Sequence, residues 1–281
     1  MKPPRPRLGF WPLITALAIV SASSPSAAQA QIGQAPDRAE LERNILKRVK
    51  QDYPGLDKEM IFKSVLKAIA SIDRAEFVPN DQRANANRDI PLPIGFDQTI
   101  SDPYIVAIMT SFVGAKAGSN VLEIGTGSGY QAAVLSRLKA SVYSIEIVPE
   151  LAQTASDRLS RYGFNGVAVK AGDGFMGWQE YAPFDAIIVS AGSSEVPSPL
   201  FAQLKRGGRL VMPIGANSPV EQLVVFTKRA DGGLDRCSLG PAMFVPFTGV
   251  GQKREIPATY DRSIALCRRG QNARWPGQAS G

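Results

Sequence analysis

Residues 121–130 read Val-Leu-Glu-Ile-Gly-Thr-Gly-Ser-Gly-Tyr, and they carry the strongest structural signal in the chain. An apolar segment of strand-forming residues runs into a loop with glycine at positions 125, 127 and 129, and a helical pattern begins at Tyr130. A glycine loop between a strand and a helix is typical of nucleotide-binding sheets, where the carboxyl end of the strand meets the amino end of the helix. We therefore predict the first strand and the first crossover helix of a doubly wound α/β domain.

The residues on both sides of this loop alternate between predicted strands and helices. Strands are predicted at 121–124, 141–146, 166–172, 184–191, 209–214, 222–228 and 234–239, and helices at 38–51, after a cap at or near Asp37, 58–71, 103–114, 130–138, 149–161 and 199–204. Apolar strands separated by helices predict a doubly wound, Rossmann-like parallel sheet preceded by N-terminal helices. The proline-rich stretch 91–95 is predicted to be a loop, and 205–208 a turn into the next strand.

The composition excludes several kinds of active site. The 281-residue chain contains no histidine, which rules out a Ser-His-Asp triad, an imidazole base and a histidine-ligated metal. Its two cysteines, Cys237 and Cys267, are too few for a cysteine zinc cluster, so we expect no metal site. Whether these cysteines form a disulfide stays open, because the distance between their Cα atoms cannot be deduced from the sequence. The formal charge of +7 is a mild excess that does not by itself indicate nucleic-acid binding.

Residues 1–30 have the pattern of an export signal. A basic start precedes the apolar run 8–22, and a small-residue segment ends at Ala30, where we expect cleavage. The alternative is an uncleaved membrane anchor, although the apolar run is short for a membrane span. We expect an exported, periplasmic protein without a stable membrane anchor after cleavage, and a cytoplasmic protein if the signal interpretation fails.

The remainder of the chain is expected to contain one folded domain. Its length suits a single catalytic domain with short appendages. Residues 31–37 are predicted to be a linker, residues 38–250 the folded domain, and residues 251–281 a basic, mobile tail with little apolar periodicity.

The spacing of the loop glycines indicates which ligand the loop binds. A dinucleotide fingerprint has the pattern Gly-x-Gly-x-x-Gly, but Tyr130 occupies the third glycine position here. Glu123, just before the loop, would also face a pyrophosphate poorly. Both features disfavour an NAD-dependent oxidoreductase and suit a ligand with a positively charged amino-acid end, as in S-adenosylmethionine. We therefore predict a cofactor site that includes Glu123, Gly125, Thr126 and Gly127.

Two further acidic residues follow the next two strands. Glu146 ends the second strand, where a carboxylate can accept hydrogen bonds from both ribose hydroxyls. Asp173, followed by Gly174, ends the third strand, where it can accept a hydrogen bond from the adenine amino group. The alternative for Glu146 is a solvated residue at a strand end. Together with the glycine loop, these positions predict that Glu146, Asp173 and Gly174 hold S-adenosylmethionine.

Several segments of the chain resemble the protein-L-isoaspartate O-methyltransferases. They are Glu76-Phe77-Val78-Pro79, residues 89–95 (Asp-Ile-Pro-Leu-Pro-Ile-Gly), residues 98–104 (Gln-Thr-Ile-Ser-Asp-Pro-Tyr), residues 121–136 (VLEIGTGSGYQAAVLS), residues 172–189 (GDGFMGWQEYAPFDAIIV), residues 204–215 (LKRGGRLVMPIG) and Phe244-Val245-Pro246-Phe247. The resemblance extends over about residues 41–248, most of the chain after the predicted signal. It implies an S-adenosylmethionine-dependent methyltransferase fold in the domain predicted at 38–250.

This resemblance implies both a reaction and the residues that perform it. The family transfers a methyl group from S-adenosylmethionine to the α-carboxylate of L-isoaspartyl residues in damaged proteins, which is a repair reaction. By resemblance, Ser101 is the active-site serine and Asp89 is a second catalytic residue in the preceding loop. The implied cofactor contacts also include Gln98, Thr99, Ile100 and Thr248. Ser101 also fits a helix N-cap before Pro103, and both roles can hold because its oxygen can accept from the backbone while its hydroxyl donates to a ligand.

A carboxylate acceptor is compatible with a chain that lacks histidine. It is already ionised and nucleophilic at neutral pH, so the enzyme has to align and desolvate it rather than deprotonate it. One departure from the family is Phe96-Asp97, which stands where many members have His-Gly. An acid at this position could repel a carboxylate substrate.

Two alternatives to a repair methyltransferase stay open. A methyltransferase of the same fold could act on another carboxylate or on a small molecule, and an exported non-catalytic domain could bind a peptide or nucleoside. We expect a monomer whose partners are damaged proteins or peptides containing isoaspartyl residues, without nucleic acid. Export also raises the question of how a cofactor made in the cytosol reaches the enzyme.

Overall fold

The structure, a computed structural model, describes residues 37–215, 220–249 and 264–267. Its helices are α1 (Arg38–Asp52), α2 (Met60–Ala70), α3 (Pro103–Val113), α4 (Tyr130–Arg137), α5 (Pro149–Arg161) and α6 (Ser198–Gln203). Its strands are β1 (Leu92–Gly95), β2 (Gln98–Ile100), β3 (Asn120–Ile124), β4 (Ser141–Glu146), β5 (Val167–Ala171), β6 (Phe184–Val189), β7 (Leu204–Ile214), β8 (Glu221–Lys228) and β9 (Leu234–Ala242).

Strands β3 to β9 form one seven-stranded sheet in the order β5-β4-β3-β6-β7-β8-β9. The strands from β5 to β7 in this order are parallel, whereas β8 and β9 are added antiparallel at one edge. Because β3 lies between β4 and β6, the direction in which the chain adds strands reverses beside β3. In doubly wound sheets ligands bind at such a reversal, outside the carboxyl ends of the strands. The predicted doubly wound, Rossmann-like fold is confirmed.

Apolar side chains project from both faces of the sheet and form two hydrophobic clusters. Val121 packs in the larger cluster, which includes residues of α1 to α5, and its neighbour Leu122 packs in the smaller cluster with α6. A strand covered on both faces requires this pattern, because successive side chains point to opposite sides. In α1, Leu41, Ile45 and Val49 are buried at the spacing expected of an amphipathic helix. The N-terminal helices are therefore part of the core.

Two expectations about irregular segments are wrong. Residues 91–95, expected to be a loop, contain β1, which pairs antiparallel with β2 in a separate two-stranded sheet. Pro93 is accommodated because both strands of this small sheet are edges, where a missing N–H need not cost a ladder bond. Residues 205–208, expected to be a turn, lie within β7. Gly207 has a φ of 79° there. It lies where the register of β7 against β6 shifts, and not at the start of a strand.

Four residues from the predicted C-terminal tail are fixed to the sheet. Cys267 forms a disulfide with Cys237 of β9, and the two Cα atoms are 5.0 Å apart. Ser238 accepts a backbone hydrogen bond from Cys267 and donates one to Ala265. The cysteine pairing that the sequence left open is therefore made, and it anchors this segment beside the outermost strand.

The predicted signal peptide, most of the predicted linker and the rest of the predicted tail lie outside the described residues. Within 37–215, 220–249 and 264–267, no helix combines the length and the apolar character needed to cross a membrane. The same ranges contain no group of three or more histidine, cysteine, aspartate or glutamate residues that could hold a metal ion.

Candidate active site

The carboxyl ends of β3, β4 and β6 open into a cavity of about 310 Å³. Its wall combines the glycine loop after β3, the segment from β2 into α3, and the segment that follows β9. The sequence-predicted residues in this wall are Gln98, Thr99, Ile100, Ser101, Gly125, Thr126, Gly127, Glu146, Gly174 and Thr248. The predicted residues outside the wall are Asp89, Glu123 and Asp173.

The loop glycines are required by backbone conformation and by close packing. All three have positive φ angles, 91° at Gly125, 51° at Gly127 and 88° at Gly129, a region that favours glycine. A Cβ atom on Gly127 would lie 3.3 Å from Ile94 of β1, and one on Gly129 would lie 3.3 Å from Leu159 of α5. The loop is therefore confined between the β1–β2 hairpin and helix α5.

Glu146, at the end of β4, binds the glycine loop through its carboxylate. Its Oε2 accepts a 2.7 Å hydrogen bond from the backbone N–H of Gly127, and its Oε1 accepts a 3.0 Å bond from the N–H of Val148. In dinucleotide-binding folds such loop N–H groups bind phosphate, but here a carboxylate already uses the Gly127 N–H. Each oxygen has lone pairs for a further donor, so the site favours hydroxyl or cationic groups over phosphate.

A buried carboxyl group lies behind the loop. Glu123 is fully buried, its Oε2 accepts a 2.5 Å hydrogen bond from Ser144, and the Ser144 hydroxyl lies 2.5 Å from that of Thr126. The other oxygen, Oε1, has no partner among the described residues. Burial raises the pKa of Glu123 to about 8. The nearby charge of Glu146 also raises this pKa, whereas the hydrogen bond from Ser144 lowers it. Glu123 therefore connects to the cavity through Ser144 and Thr126.

Asp173 lies beside the cavity, next to Gly174 in its wall. Its carboxylate accepts a 2.8 Å hydrogen bond from the backbone N–H of Phe175. A Cβ atom on Gly249 would lie 2.4 Å from each carboxylate oxygen, so the backbone that follows Thr248 passes directly over Asp173. The acid expected to contact adenine and the C-terminal residue expected to contact the cofactor are therefore brought to one place.

The segment from β2 into α3 presents the Ser101 hydroxyl to the cavity. Ser101 follows β2 and lines the cavity, and within the described part of the chain its hydroxyl has no hydrogen-bond partner. Asp102 is the N-cap of α3, where its carboxylate accepts a 2.9 Å hydrogen bond from the N–H of Ile105. The alternative in which Ser101 caps the helix is therefore wrong, and its hydroxyl is available to a ligand.

The two residues that depart from the family form the turn of the β1–β2 hairpin. Phe96 and Asp97 have φ angles of 54° and 56°, as a two-residue type I′ turn requires. Both side chains are exposed, and neither lines the cavity. The position of Asp97 therefore does not support repulsion of a carboxylate substrate.

Sequence reasoning missed Arg74, a buried arginine beneath the site. Its guanidinium donates hydrogen bonds of 2.7 to 3.1 Å to the carbonyls of Ala86, Ile90 and Ser101, and burial lowers its pKa. Such charge-assisted bonds fix the segment 86–101 as one unit. No local pattern identifies Arg74, because an arginine beside acidic residues ordinarily indicates a solvated surface.

Asp89 supports the cavity from outside its wall. Its Oδ1 accepts a 2.9 Å hydrogen bond from the N–H of Tyr104 in α3, and its Oδ2 pairs with Nη1 of Arg48 at 2.5 Å. Arg48, from α1, lines the cavity. Sequence reasoning missed it because it is one of several charged residues on the exposed face of that helix. The position of Asp89 supports a positioning role, and its predicted catalytic role stays a prediction.

The chemistry of this wall fits S-adenosylmethionine. That cofactor carries an ammonium, a sulfonium and a ribose, and the wall offers the Glu146 carboxylate as a hydrogen-bond acceptor and a negative charge. The Gly127 N–H, by contrast, is already bonded to a carboxylate and is not free for phosphate. This site on a doubly wound sheet defines an S-adenosylmethionine-dependent methyltransferase.

Comparison with known sequences gives the family. The family model described as protein-L-isoaspartate(D-aspartate) O-methyltransferase matches residues 55–252. Protein-L-isoaspartate O-methyltransferase 2 of Syntrophobacter fumaroxidans is 43% identical over 245 residues, which cover 87% of this chain and 98% of that protein. Protein-L-isoaspartate O-methyltransferase 1 of Cupriavidus necator is 44% identical over 249 residues, covering 89% and 95%. The chain belongs to the protein-L-isoaspartate(D-aspartate) O-methyltransferase family.

Solved structures share this fold. A protein-L-isoaspartate O-methyltransferase structure is 32% identical with a TM-score of 0.65, and the match covers 76% of this chain and 66% of that chain. A Plasmodium falciparum structure in complex with S-adenosyl-L-homocysteine is 21% identical with a TM-score of 0.60, covering 74% and 98%. At that identity the second likeness shows the fold alone. The family predicted from the sequence motifs is confirmed.

Proposed function

We propose that this chain methylates the α-carboxylate of L-isoaspartyl residues in damaged proteins, with S-adenosylmethionine as the donor, in the cavity at the carboxyl ends of β3, β4 and β6. The observation that carries the proposal is a shared wall, in which the glycine loop with Glu146 and the Ser101 hydroxyl, which has no partner among the described residues, border one space. A donor held by the loop and an acceptor oriented by Ser101 would therefore occupy the same cavity.

This reaction asks little acid–base chemistry of the protein. The acceptor carboxylate is ionised at neutral pH, and S-adenosylmethionine supplies an electrophilic methyl group when bound. The residues of the chain have to bind, align and desolvate the reactants. The Ser101 hydroxyl can donate to one acceptor oxygen, and Arg74 holds the Ser101 carbonyl at 3.1 Å. Alignment by fixed groups of this kind accounts for catalysis without histidine.

The cofactor contacts follow from the same wall. The remaining lone pairs of Glu146 can accept from the ribose hydroxyls, and the glycines at 125 and 127 allow a close approach of the backbone. Asp173 and Gly174, beneath Thr248, are the proposed adenine end of the site. The further contacts proposed from the β2 segment are Gln98, Thr99 and Ile100.

We further propose that the protein is exported and acts as a periplasmic monomer. The pattern of residues 1–30 supports export, and so does the Cys237–Cys267 pair, because disulfides persist in oxidising compartments and are rare in the cytosol. N-terminal sequencing of the protein from its native cells should begin at Gln31. A protein that begins at Met1 in the cytosolic fraction would contradict export.

The activity is tested with two peptides that differ only in one L-isoaspartyl or L-aspartyl residue. Calorimetric titration with S-adenosylmethionine first measures cofactor binding to the chain from residue 31 onward. We then expect transfer of labelled methyl to the isoaspartyl peptide alone. Cofactor binding without transfer to either peptide would favour a methyltransferase for other carboxylates or small molecules. Failure to bind the cofactor would favour a non-catalytic binding domain.

A further inference from the structure

Arg48, near the C-terminal end of α1, is the only cationic side chain among the residues that line the described cavity. Ser101 and Asp102 belong to the same wall, and Nη1 of Arg48 lies 3.9 Å from the Asp102 carboxylate. The Arg48 side chain is 44% exposed. A polypeptide substrate approaching from solvent could therefore reach it.

The guanidinium of Arg48 is held by its neighbours. Its Cζ lies 3.6 Å from the centre of the Tyr104 ring, and its Nη1 pairs with Asp89 at 2.5 Å. Tyr104 is fixed in turn, because its hydroxyl donates to Asp52, one turn further along α1. Stacking on an aromatic ring together with a carboxylate pair fixes the plane of an arginine more firmly than solvent does.

Among the described residues, these contacts leave one edge of the Arg48 guanidinium without a partner. Both acidic contacts use Nη1, whereas Nε and Nη2 make no hydrogen bond to any residue that the structure describes. The fork of N–H groups on arginine matches a carboxylate with two parallel hydrogen bonds. A carboxylate at this edge would meet donors that are already oriented.

A cation beside Ser101 would favour the binding of an anionic acceptor. To reach Ser101 the acceptor must approach the neighbouring carboxylate of Asp102, and like charges at short range repel in a partly desolvated site. The wall contains the acidic side chains Asp102 and Glu146. Among the residues that the structure describes, Arg48 is the one positive charge in that wall that can offset this repulsion.

We propose that Arg48 is a specificity-determining residue that binds the acceptor carboxylate, with Asp89 and Tyr104 as positioning residues that hold its guanidinium. The inference rests on the proposed function and adds the group that recognises the anionic end of the substrate. Arg48 precedes residues 55–252, the segment that the family model matches. The family match therefore does not imply this role.

A binding experiment with two peptides tests the inference without relying on catalysis. One peptide contains an L-isoaspartyl residue, and the other has its α-carboxylate replaced by a carboxamide. Each is titrated into the mature chain saturated with S-adenosylhomocysteine, whose binding also reports that each variant is folded. We expect the wild type to prefer the carboxylate peptide by about tenfold or more, the scale of one charge-assisted contact.

Variants of Arg48 should change this preference specifically. In Arg48→Met, which keeps the alkyl stem, the preference should fall to about one, and Arg48→Lys should keep an intermediate value because a point charge lacks the fork. Arg43→Met removes an exposed arginine from the same helix. This control should keep the wild-type preference.

Two results would overturn the inference. If the wild type binds both peptides equally, the site does not distinguish the carboxylate from the carboxamide. If the Arg48→Met protein keeps the wild-type preference, Arg48 is not required for that distinction. If the wild type still methylates the isoaspartyl peptide in either case, the proposed function survives and only the role of Arg48 fails. A wild type that neither binds nor methylates the isoaspartyl peptide refutes the proposed function, and the inference falls with it.

Discussion

The backbone N–H of Gly127 donates a 2.7 Å hydrogen bond to Oε2 of Glu146 and so joins the glycine loop after β3 to the end of β4. The other carboxylate oxygen accepts from the N–H of Val148, where the chain leaves β4 for α5. Glu146 therefore fixes the loop by contacts within the protein and still has lone pairs for hydroxyl donors in the cavity. Substitution of Glu146 should therefore weaken cofactor binding in two ways, by releasing the glycine loop and by removing an acceptor for hydroxyl groups of the cofactor.

Glu146→Ala should weaken S-adenosylmethionine binding by ~2–3 kcal/mol, the scale for losing hydrogen bonds to a charged group. Glu146→Gln should lose less, because its carbonyl oxygen can still accept from one of the two N–H groups. Calorimetric titration with the cofactor measures both changes. Glu150→Gln, an exposed carboxylate in the first turn of α5, is the matched control. Unchanged affinity in a folded Glu146→Ala protein would remove Glu146 from the cofactor site.

Ser101→Ala should lower turnover by roughly tenfold to a hundredfold, the range for losing one hydrogen bond to a charged group. Cofactor affinity should change little, because the hydroxyl is proposed to act on the acceptor. Steady-state kinetics with an isoaspartyl peptide, together with a cofactor titration, separate the two quantities. Ser160→Ala, at an exposed site on α5, controls for loss of a hydroxyl elsewhere. A proportional loss of cofactor affinity and turnover would instead make Ser101 a cofactor residue.

Glu123 should make the cofactor-free protein less stable as the pH rises. Burial raises its pKa from 4.5 to about 8, so between these values the folded protein keeps a proton that the unfolded chain releases. The free energy of unfolding should therefore decrease with rising pH in this window. Urea unfolding at pH 6 and pH 8 measures the decrease.

Glu123→Gln removes the titrating group, so the difference between the two pH values should shrink in this variant. Glu180→Gln makes the same substitution at an exposed carboxylate and should keep the wild-type difference. The measured quantity is the change in the free energy of unfolding between pH 6 and pH 8 within each protein. A constant loss of stability from burying the amide of Glu123→Gln therefore cancels. Equal differences in wild type and Glu123→Gln would mean that Glu123 does not titrate in this range.

Asp97→Gly should stabilise the protein by up to about 1 kcal/mol, because glycine adopts a positive φ without the steric cost of a side chain. Its effect on the KM for an isoaspartyl peptide should be small, since Asp97 is exposed at the hairpin turn and does not line the cavity. Asp97→Asn removes the charge but keeps a residue type that tolerates this conformation, so it should change neither quantity. A large fall in KM in both variants would restore the idea that Asp97 repels the substrate.

Reduction of the Cys237–Cys267 disulfide should destabilise the protein. The cysteines are 30 residues apart, and closing a loop of this length is worth about 3–4 kcal/mol in the chain-entropy description. Urea unfolding with and without reductant measures the change. The double variant Cys237→Ser/Cys267→Ser should already be destabilised and should not respond to reductant, because the chain has no other cysteine. Equal stability of the oxidised and reduced wild type would contradict a structural role for the bond.

The sequence by itself determined the central sheet and its ligand-binding loop. The strand predicted at 141–146 and the helix predicted at 149–161 have these bounds in the structure. Strand and helix periodicity, the glycines after β3 and the acid at the end of β4 are local features. In a doubly wound sheet such residues converge because the carboxyl ends of neighbouring parallel strands share one edge. Adjacency in the fold could therefore be deduced from order along the chain.

Only the tertiary structure decided the contacts between distant segments. Arg74 and Arg48 look like surface charges in the sequence, and packing alone places one beneath the Ser101 segment and the other in the cavity wall. The same holds for the disulfide from Cys237 to Cys267 and for the hairpin that holds Pro93. These features depend on register and on the approach of segments far apart in the chain. Neither the register nor the approach of distant segments can be deduced from local periodicity, because many different local sequences are compatible with the same long-range contact.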